Sequence, residues 1–137
     1  MATQFIDDLA TYLQTQGHGT KGTDIFRGNA PDSKTPEDTR YDNIIVINDT
    51  GGFANVLNDK GAGLEIVTVQ IMARNKRQEI ARDKLQAIQD DLHQLNQTNL
   101  GTFTIIAAMA VDRPAVIRKD PKERFELVSN YEIRTRS

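Results

Sequence analysis

The segment from residue 75 to residue 101 carries the strongest periodic signal in the chain. Apolar residues recur there at alternating steps of four and three, separated mostly by Lys, Arg, Gln and Asp; they are Ala81, Leu85, Ile88, Leu92 and Leu95. This spacing predicts an amphipathic α-helix that buries one side against a core. Asn75 followed by Gln78 predicts a capping box at its start, and residues 96–101 are expected to end it. The stripe lasts only about two heptads, which is too short to indicate a coiled coil.

A second helix is predicted near the N-terminus, from Thr3 to Gln16, with Thr3 as its N-cap and Gly17 and Gly19 at its end. Its apolar residues also follow the spacing of one helical side. They are Phe5, Ile6, Leu9, Tyr12 and Leu13. The chain therefore contains two helices that each need a surface to cover.

Five strands are predicted from short apolar or alternating runs. They are Asp24–Arg27, Asn43–Asn48, Leu64–Ala73, Thr102–Val111 and Arg124–Thr135. Apolar residues on both faces of Leu64–Ala73 favour a central position in a sheet. In Thr102–Val111 the larger apolar side chains alternate with smaller residues, and Pro114 and Pro121 bracket a polar connection between the last two strands, which is typical of a long hairpin.

Three polar segments are interpreted as long loops: Gly28–Asp42, Asp49–Gly63 and Arg113–Glu123. Connections of about 15 residues without regular structure are uncommon unless they are functional or disordered. We expect these loops to be mobile in a free subunit and to become ordered against partners.

The order of the elements predicts the fold class. Two helices cannot cover both faces of such a sheet, so both are expected to pack on one face. The prediction is an α+β fold with a mixed, largely antiparallel sheet of four to five strands. A chain of 137 residues is expected to form a single domain over residues 1–137.

Composition excludes several classes of site. The chain has no cysteine, so disulfides, thiolate metal ligands and cysteine nucleophiles are ruled out, which suits a reducing cytosol. Asp7 and Asp8 interrupt the apolar start of the chain, which therefore resembles neither a signal peptide nor a transit peptide. No apolar stretch approaches the ~20 residues that span a bilayer.

No catalytic, metal or cofactor site is predicted. His18 and His93 are the only histidines and lie 75 positions apart. The Asp7–Asp8 and Asp90–Asp91 pairs are adjacent on helices, where neighbouring side chains point about 100° apart. The glycines of residues 51–63 lack the Lys-Ser or Lys-Thr and the helix of a phosphate-binding loop, and no Gly-x-Ser-x-Gly nucleophile motif occurs.

Charge is distributed unevenly although the formal net charge is only −2. Residues 1–42 carry a net charge of −3 and residues 113–137 a net charge of +3. Arg74, Lys76, Arg77, Arg82 and Lys84 also cluster at the start of the central helix. Both features fit solvated faces of mixed sign, contacts with neighbouring subunits, or, for the basic cluster, contacts with nucleic acid.

The segment from Pro114 to Ile133 resembles the ending of bacteriophage tail-terminator and related minor capsid, head–tail joining proteins. The residues that carry the resemblance are Pro114, Asp120, Arg124, Asn130 and Tyr131. Residues 22–26 after an amphipathic helix, and Gly51-Gly52 after a strand, occur in a similar order in that family. The resemblance is one of layout and extends over nearly the whole chain.

The resemblance implies a structural protein without catalysis or cofactor. It implies a ring, usually of six subunits, that binds the last ring of the tail tube, stops tube growth and meets the head–tail connector. Genome DNA would pass through the lumen without sequence-specific binding. The expected location is the head-proximal end of the tail in the virion, with assembly in the host bacterial cytoplasm and no membrane partner.

Residues expected at the interfaces with subunits or partners are mostly charged. They are Arg27, Arg40, Phe53, Arg74, Lys76, Arg77, Arg118, Asp120 and Arg124. Three alternatives remain at this stage: another connector or stopper protein of the virion, a nucleic-acid-binding module that uses the basic cluster at residues 74–84, and a small enzyme with a site built from loops.

Overall fold

The computed structural model describes residues 2–28, 30–32, 39–57, 64–101 and 103–136. Its elements, in chain order, are α1 (Ala2–Thr15), β1 (Ile25–Arg27), β2 (Ile44–Leu57), β3 (Leu64–Asn75), α2 (Gln78–Leu92), β4 (Thr98–Leu100), β5 (Phe103–Ala110), β6 (Ala115–Lys119) and β7 (Phe125–Arg136).

The described strands form one mixed sheet of seven strands. Six of them follow the order β1-β2-β3-β7-β5-β4, and the seventh, β6, pairs with β7. Strand β7 pairs with β3 along its whole length, while its other side pairs with β6 in the first half and β5 in the second. Only the β1–β2 pair is parallel among these strands. The α+β class is confirmed, and the predicted count of four to five strands is too low.

Strand β2 is longer than predicted. It continues through Leu57, so the prediction of a loop over Asp49–Gly63 is wrong for residues 49–57, and residues 58–63 lie outside the described part of the chain. The ladder with β3 shifts register between Asp49 and Gly51. Gly51 has a φ of 108°, a conformation that glycine adopts easily, and its backbone N donates to Asp49 Oδ1. A glycine that accommodates a bulge was therefore mistaken for the start of a loop.

Strands β4 and β6 were not predicted. Every residue of β6 is exposed, so it has no buried side to produce an alternating pattern. The segment Arg113–Glu123, interpreted as a loop, is instead a strand followed by a tight turn. Strand β4 has only three residues and lies in a segment that was assigned to the end of the central helix.

The capping predictions are also wrong. Asn75 is the last residue of β3, and its Oδ1 accepts a hydrogen bond from the backbone N of Arg77 at 2.9 Å. Gln78 is already the first residue of α2, whose N-cap is Arg77. In α1, Thr3 lies inside the helix, although the predicted extent of that helix is confirmed to within one residue.

Both helices pack on one face of the sheet, as predicted. Their buried residues meet Ile45, Ile47, Ile71, Leu127 and Ile133 from the strands. The other face holds a second, smaller apolar cluster. It consists of Ile44, Val46, Met72 and Val128, with Phe26 and Tyr41 packed against it. Neither of the described helices is long and apolar enough to cross a bilayer.

Strand β5 changes face halfway along its length. A bulge lies between Ile105 and Ala107, so the alternation that begins with Phe103 and Ile105 on the core side is reversed beyond it. Ala108 is buried, whereas Met109 is 44% exposed. The Met109 side chain near the end of this strand therefore faces solvent, while Ala108 and Ala110 pack against the core.

Candidate functional site

The turn between β6 and β7 is organised by Asp120. Its Oδ1 accepts hydrogen bonds from the backbone N of Lys122 at 3.0 Å and of Arg124 at 2.9 Å. The backbone N of Asp120 donates to the carbonyl of Arg124 at 2.8 Å, which closes the hairpin. Asp120 and Arg124 were singled out from the sequence as part of the resemblance, and their positions in this turn explain why both residue types are needed.

The guanidinium of Arg124 joins this turn to the segment before β2. The side chain is 1% exposed. It donates to Asp120 Oδ2 at 2.8 Å, to Asp42 Oδ1 at 3.1 Å and to Asp32 Oδ2 at 3.0 Å. Arg124 therefore binds carboxylates on both sides of residues 33–38, which lie outside the described part of the chain.

Arg74 makes a parallel set of contacts from β3. It is directly opposite Glu126 in the β3–β7 ladder, and its Nε and Nη2 donate to Glu126 Oε2 at 3.0 and 2.9 Å. Its Nη1 donates to the carbonyl of Pro31 at 2.9 Å and to that of Tyr41 at 3.4 Å. The Tyr41 carbonyl also accepts from Arg124 at 3.3 Å, so both arginines bind the same backbone group.

Three more cations complete the cluster at its rim. Arg118 donates to Glu126 Oε1 at 2.7 Å, Lys122 donates to Asp32 at 3.1 Å, and the Lys76 Nζ lies 3.7 Å from Asp42. We call the whole set the hairpin network. Its members are Asp32, Asp42, Arg74, Lys76, Arg118, Asp120, Lys122, Arg124 and Glu126.

Electrostatics keep the centre of the hairpin network charged. Burial alone would raise the pKa of the Asp120 carboxyl, but hydrogen bonds from Arg124 outweigh it and lower this pKa. Burial also opposes the charge of Glu126, while hydrogen bonds from Arg118 and Arg74 lower its pKa. For Arg124, burial works against the charge, and the hydrogen bonds to Asp120 and Asp32 nevertheless raise the pKa. These three groups are therefore ionised at neutral pH.

Part of the charge asymmetry seen in the sequence is satisfied inside the molecule. Asp32 and Asp42 come from the acidic N-terminal region, and Arg124 and Lys122 come from the basic C-terminal region. Because they pair within the chain, these charges contribute less to its outer surface than the sequence suggested.

Next to the hairpin network, β6 presents an apolar edge to solvent. Val116 and Ile117 are 41% and 55% exposed, and Val111 just before the strand is 64% exposed. Strand β6 pairs only with β7 among the described strands, so its outer backbone edge faces away from the sheet. A bulge between Val116 and Arg118 leaves Ile117 as the extra residue. We call these residues with Met109 the β6 edge.

Five of the nine residues expected at interfaces belong to the hairpin network. Arg74, Asp120 and Arg124 are buried inside the hairpin network, while Lys76 and Arg118 lie at its rim.

The guanidinium carbon of Arg40 lies 5.1 Å from the centre of the Tyr41 ring. Tyr41 in turn contacts the network, because its carbonyl accepts from Arg74 and Arg124. Arg27 pairs with Asp7, and Arg77 pairs with Glu79, so both lie outside the network. The backbone of Phe53 belongs to β2 and pairs with Ile66. The buried residues can influence an interface only by positioning what surrounds them.

Sequence reasoning missed four members of the network, and it missed the apolar residues of β6; the four are Asp32, Asp42, Lys122 and Glu126. Glu126 carried a usable signal, because it directly follows the Arg-Phe of the resemblance in a strand that pairs with the one containing Arg74. The pairing of Asp32 with Arg124 joins residues 92 positions apart and has no sequence signal.

No set of three or more His, Cys, Asp or Glu within the described residues could hold a metal ion. His18 pairs with Asp91, and His93 accepts from the backbone N of Ala110. The Tyr131 hydroxyl lies in the core, where burial raises the pKa of Tyr131 to about 12.

The chain is similar to one protein family in sequence and to a solved structure in fold. A family model described as "Bacteriophage tail terminator protein" matches residues 12–136. No curated protein is significantly similar to the chain in sequence. A chain of the solved structure "Virion of native gene transfer agent (GTA) particle" is 12% identical, with a TM-score of 0.59 over 85% of this chain and 81% of that one. At that identity the likeness concerns the fold alone.

Proposed function

The chain belongs to the bacteriophage tail terminator family, and we propose on that basis that it caps the tail tube as a ring of identical subunits. In this proposal the ring stops polymerisation of the tube and forms the joint to the head connector. The observation that carries it is the family match over residues 12–136, which includes the end of α1, the whole of α2 and every described strand.

The ring is proposed to close through the β6 edge. A cyclic ring needs heterologous contacts, in which one surface of a subunit meets a different surface of the next. The β6 edge offers an apolar centre, Val116 and Ile117, beside the exposed cations Arg118 and Lys119. An apolar centre with a polar rim is the usual anatomy of a protein interface. We assign this surface to the neighbouring copy because every subunit of a ring needs a lateral contact.

The remaining exposed interface candidates are proposed to meet the tail tube protein and the connector or stopper protein. The exposed ones are Arg27, Arg40, Lys76 and Arg77. Phe53, whose backbone belongs to β2, is proposed to act with them. In the virion the protein would lie at the head-proximal end of the tail, after assembly in the host cytoplasm. Genome DNA would pass through the lumen without sequence-specific binding, and the proposal involves neither catalysis nor a cofactor.

Tube capping tests the proposal directly. Purified tail tube protein of the same phage is polymerised with and without the full chain, and tube lengths and ends are measured by negative-stain electron microscopy. We expect shorter tubes with a ring at one end. Tubes of unchanged length, with bare ends at saturating protein, would contradict the proposed function.

A charge-introducing pair of variants tests the assignment of the β6 edge. Ile117→Glu places a carboxylate in the proposed apolar centre, whereas Ile80→Glu alters a residue of α2 that is 37% exposed and lies outside it. We expect the first variant to remain folded but fail to form rings in mass photometry, while the second forms rings. Equal ring formation by both variants would exclude the β6 edge as the subunit contact.

Nucleic-acid binding through the basic cluster at residues 74–84 is a second candidate function, and it has less support than tube capping. Arg74 is buried, Arg77 pairs with Glu79 at 2.6 Å, and Lys84 donates to Asn43. Partial burial also lowers the pKa of Lys84. A steep dependence of DNA affinity on salt concentration, abolished by Arg77→Glu with Arg82→Glu, would favour that function instead.

A further inference from the structure

We propose that Arg124 and Arg74 are positioning residues that couple the two described ends of segment 30–43, residues 30–32 and 39–43, to the tip of the β6–β7 hairpin, so that these ends and the tip move as one unit. The coupling is a property of the isolated chain. Its consequence for assembly, that the unit holds the β6 edge in the orientation that a neighbour binds, rests on the proposed function.

The first argument is the location of the contacts along the chain. Arg124 and Arg74 together bind Pro31 and Asp32 on one side of residues 33–38, and Tyr41 and Asp42 on the other. Both described ends of the segment are therefore attached to the same two guanidinium groups.

The second argument is that each arginine is attached to the hairpin at the same time. Arg124 binds Asp120 in the turn, and Arg74 binds Glu126 near the start of β7. Since the Tyr41 carbonyl accepts from both arginines, displacing the segment breaks contacts of both. Displacement of the two described ends of the segment and loss of the arginine contacts at the hairpin tip are thus a single event.

The third argument is chemical. Arg124 uses several nitrogens of one planar group to reach three different carboxylates, a geometry that the single ammonium of lysine cannot reproduce. Buried ion pairs of this kind contribute little net stability compared with apolar packing, and one role that can retain them is conformational specificity. The helix-covered core includes none of the network residues, so the core does not depend on them.

The link to the β6 edge runs through Glu126. Its two carboxylate oxygens accept hydrogen bonds from different arginines: Oε2 accepts from Arg74 on β3, and Oε1 accepts from Arg118 on β6. Arg118 follows directly after the bulged residue Ile117, which is 55% exposed. Losing Arg74 would therefore release one side of the carboxylate that positions this part of β6, and Arg124 is connected to this contact through the Tyr41 carbonyl that it shares with Arg74.

Hydrogen exchange on the isolated chain tests the coupling. Arg124→Lys, Arg74→Lys and the double variant are compared with the wild-type chain, with Arg77→Lys as the matched control because Arg77 makes an exposed ion pair outside the network. We expect amide exchange at residues 39–43 and at residues 119–125 to rise together by about tenfold or more in each network variant. In the double variant, the factor by which exchange accelerates should be much smaller than the product of the two factors measured for the single variants.

A milder variant guards against loss of the fold. Asp32→Ala removes a carboxylate that is 44% exposed, and it should still accelerate exchange at both residues 39–43 and 119–125, by a smaller factor. Amides of α2 serve as the internal control and should keep their protection. Faster exchange in only one of the two segments, or in neither, would overturn the coupling.

Tube capping then separates this inference from the proposed function. If wild-type protein caps tubes and Arg124→Lys does not, while α2 stays protected, the positioning role in assembly is supported. If Arg124→Lys loses protection in both segments yet caps tubes as well as wild type, the coupling stands and its role in assembly is wrong. If wild-type protein fails to cap tubes, the proposed function fails, and the exchange result alone still decides the coupling.

Discussion

The two faces of the sheet are stabilised by different interactions. On one face, α1 and α2 bury a large aliphatic cluster that needs no charged group. On the other, four apolar residues of the strands are supplemented by the hairpin network, which is ionic and partly buried. Apolar packing is non-directional and tolerates small shifts, whereas hydrogen-bonded ion pairs fix relative positions and respond to pH and salt. We therefore expect the first face to supply most of the stability, and the second to fix the hairpin relative to residues 30–32 and 39–43.

The largest effect is expected from a cavity on the helix-covered face. Leu85→Ala removes a fully buried side chain of α2 and should lower the free energy of unfolding by about 2–5 kcal/mol. The loss should be nearly independent of salt concentration because no charge is involved. Urea unfolding followed by far-UV circular dichroism at two salt concentrations measures both. A loss below about 1 kcal/mol would mean that this face contributes less than the comparison requires.

A smaller loss is expected from the ionic face. Glu126→Gln keeps the shape of the side chain but removes the charge that binds both Arg74 and Arg118, and it should cost about 1.5–3 kcal/mol. Arg118→Gln is the matched control, since that side chain is 58% exposed and solvent screens its charge, so a smaller loss of stability is expected. The same urea measurement applies. If the two variants lose equal stability, burial of the carboxylate is not what makes this contact matter.

Gly101 gives a test where the helix-covered face meets the sheet. It has a φ of 60°, and a Cβ at this position would collide with the carboxylate of Asp8 on α1. Gly101→Ala should therefore destabilise the chain by about 1–3 kcal/mol. Thermal unfolding should show a smaller loss when Gly101→Ala is introduced into an Asp8→Ala chain, which lacks the colliding carboxylate, than when it is introduced into the wild type. Equal losses in the two backgrounds would show that the backbone conformation alone causes the penalty.

The smallest effect is expected from acidification. The folded-state pKa values of Asp120 and Glu126 are lowered, so their contribution is complete above the unfolded values of about 4 and is lost as the pH falls through the lower folded values. Thermal midpoints should therefore decrease between about pH 5 and pH 3. Glu126→Gln should weaken that dependence, and Leu85→Ala should leave it unchanged. Parallel pH curves for wild type and Glu126→Gln would contradict the role assigned to this carboxyl.

The sequence allowed the helix-covered face to be predicted well and the ionic face poorly. The stripe of Leu85, Ile88 and Leu92 and the alternation of β7 are local patterns, because each buried residue repeats at the period of its own element. The one-sided packing of both helices followed from them. Strand β6 lacks a buried side, and β2 crosses a glycine bulge, so neither produced a recognisable period.

The candidate site was predicted only in part. Asp120 and Arg124 were identified because they lie four positions apart in one turn of the resemblance. Asp32, Asp42 and Arg74 join them only through the tertiary fold, and no local pattern links a polar loop to a residue 92 positions later. Arg74, Asp120 and Arg124 were expected at interfaces, and only the three-dimensional structure reveals that their side chains are buried within the chain.

The bulge at Ile117 has a consequence for how copies of this protein can associate. An open strand edge invites another chain to extend the sheet, and unlimited extension leads to fibres. Here the irregular backbone beside Ile117, flanked by Arg118 and Lys119, interrupts the regular row of donors and acceptors after two residues. Adhesion at this strand must therefore come mainly from side chains, which favours association that stops at a finite number of copies over aggregation without limit.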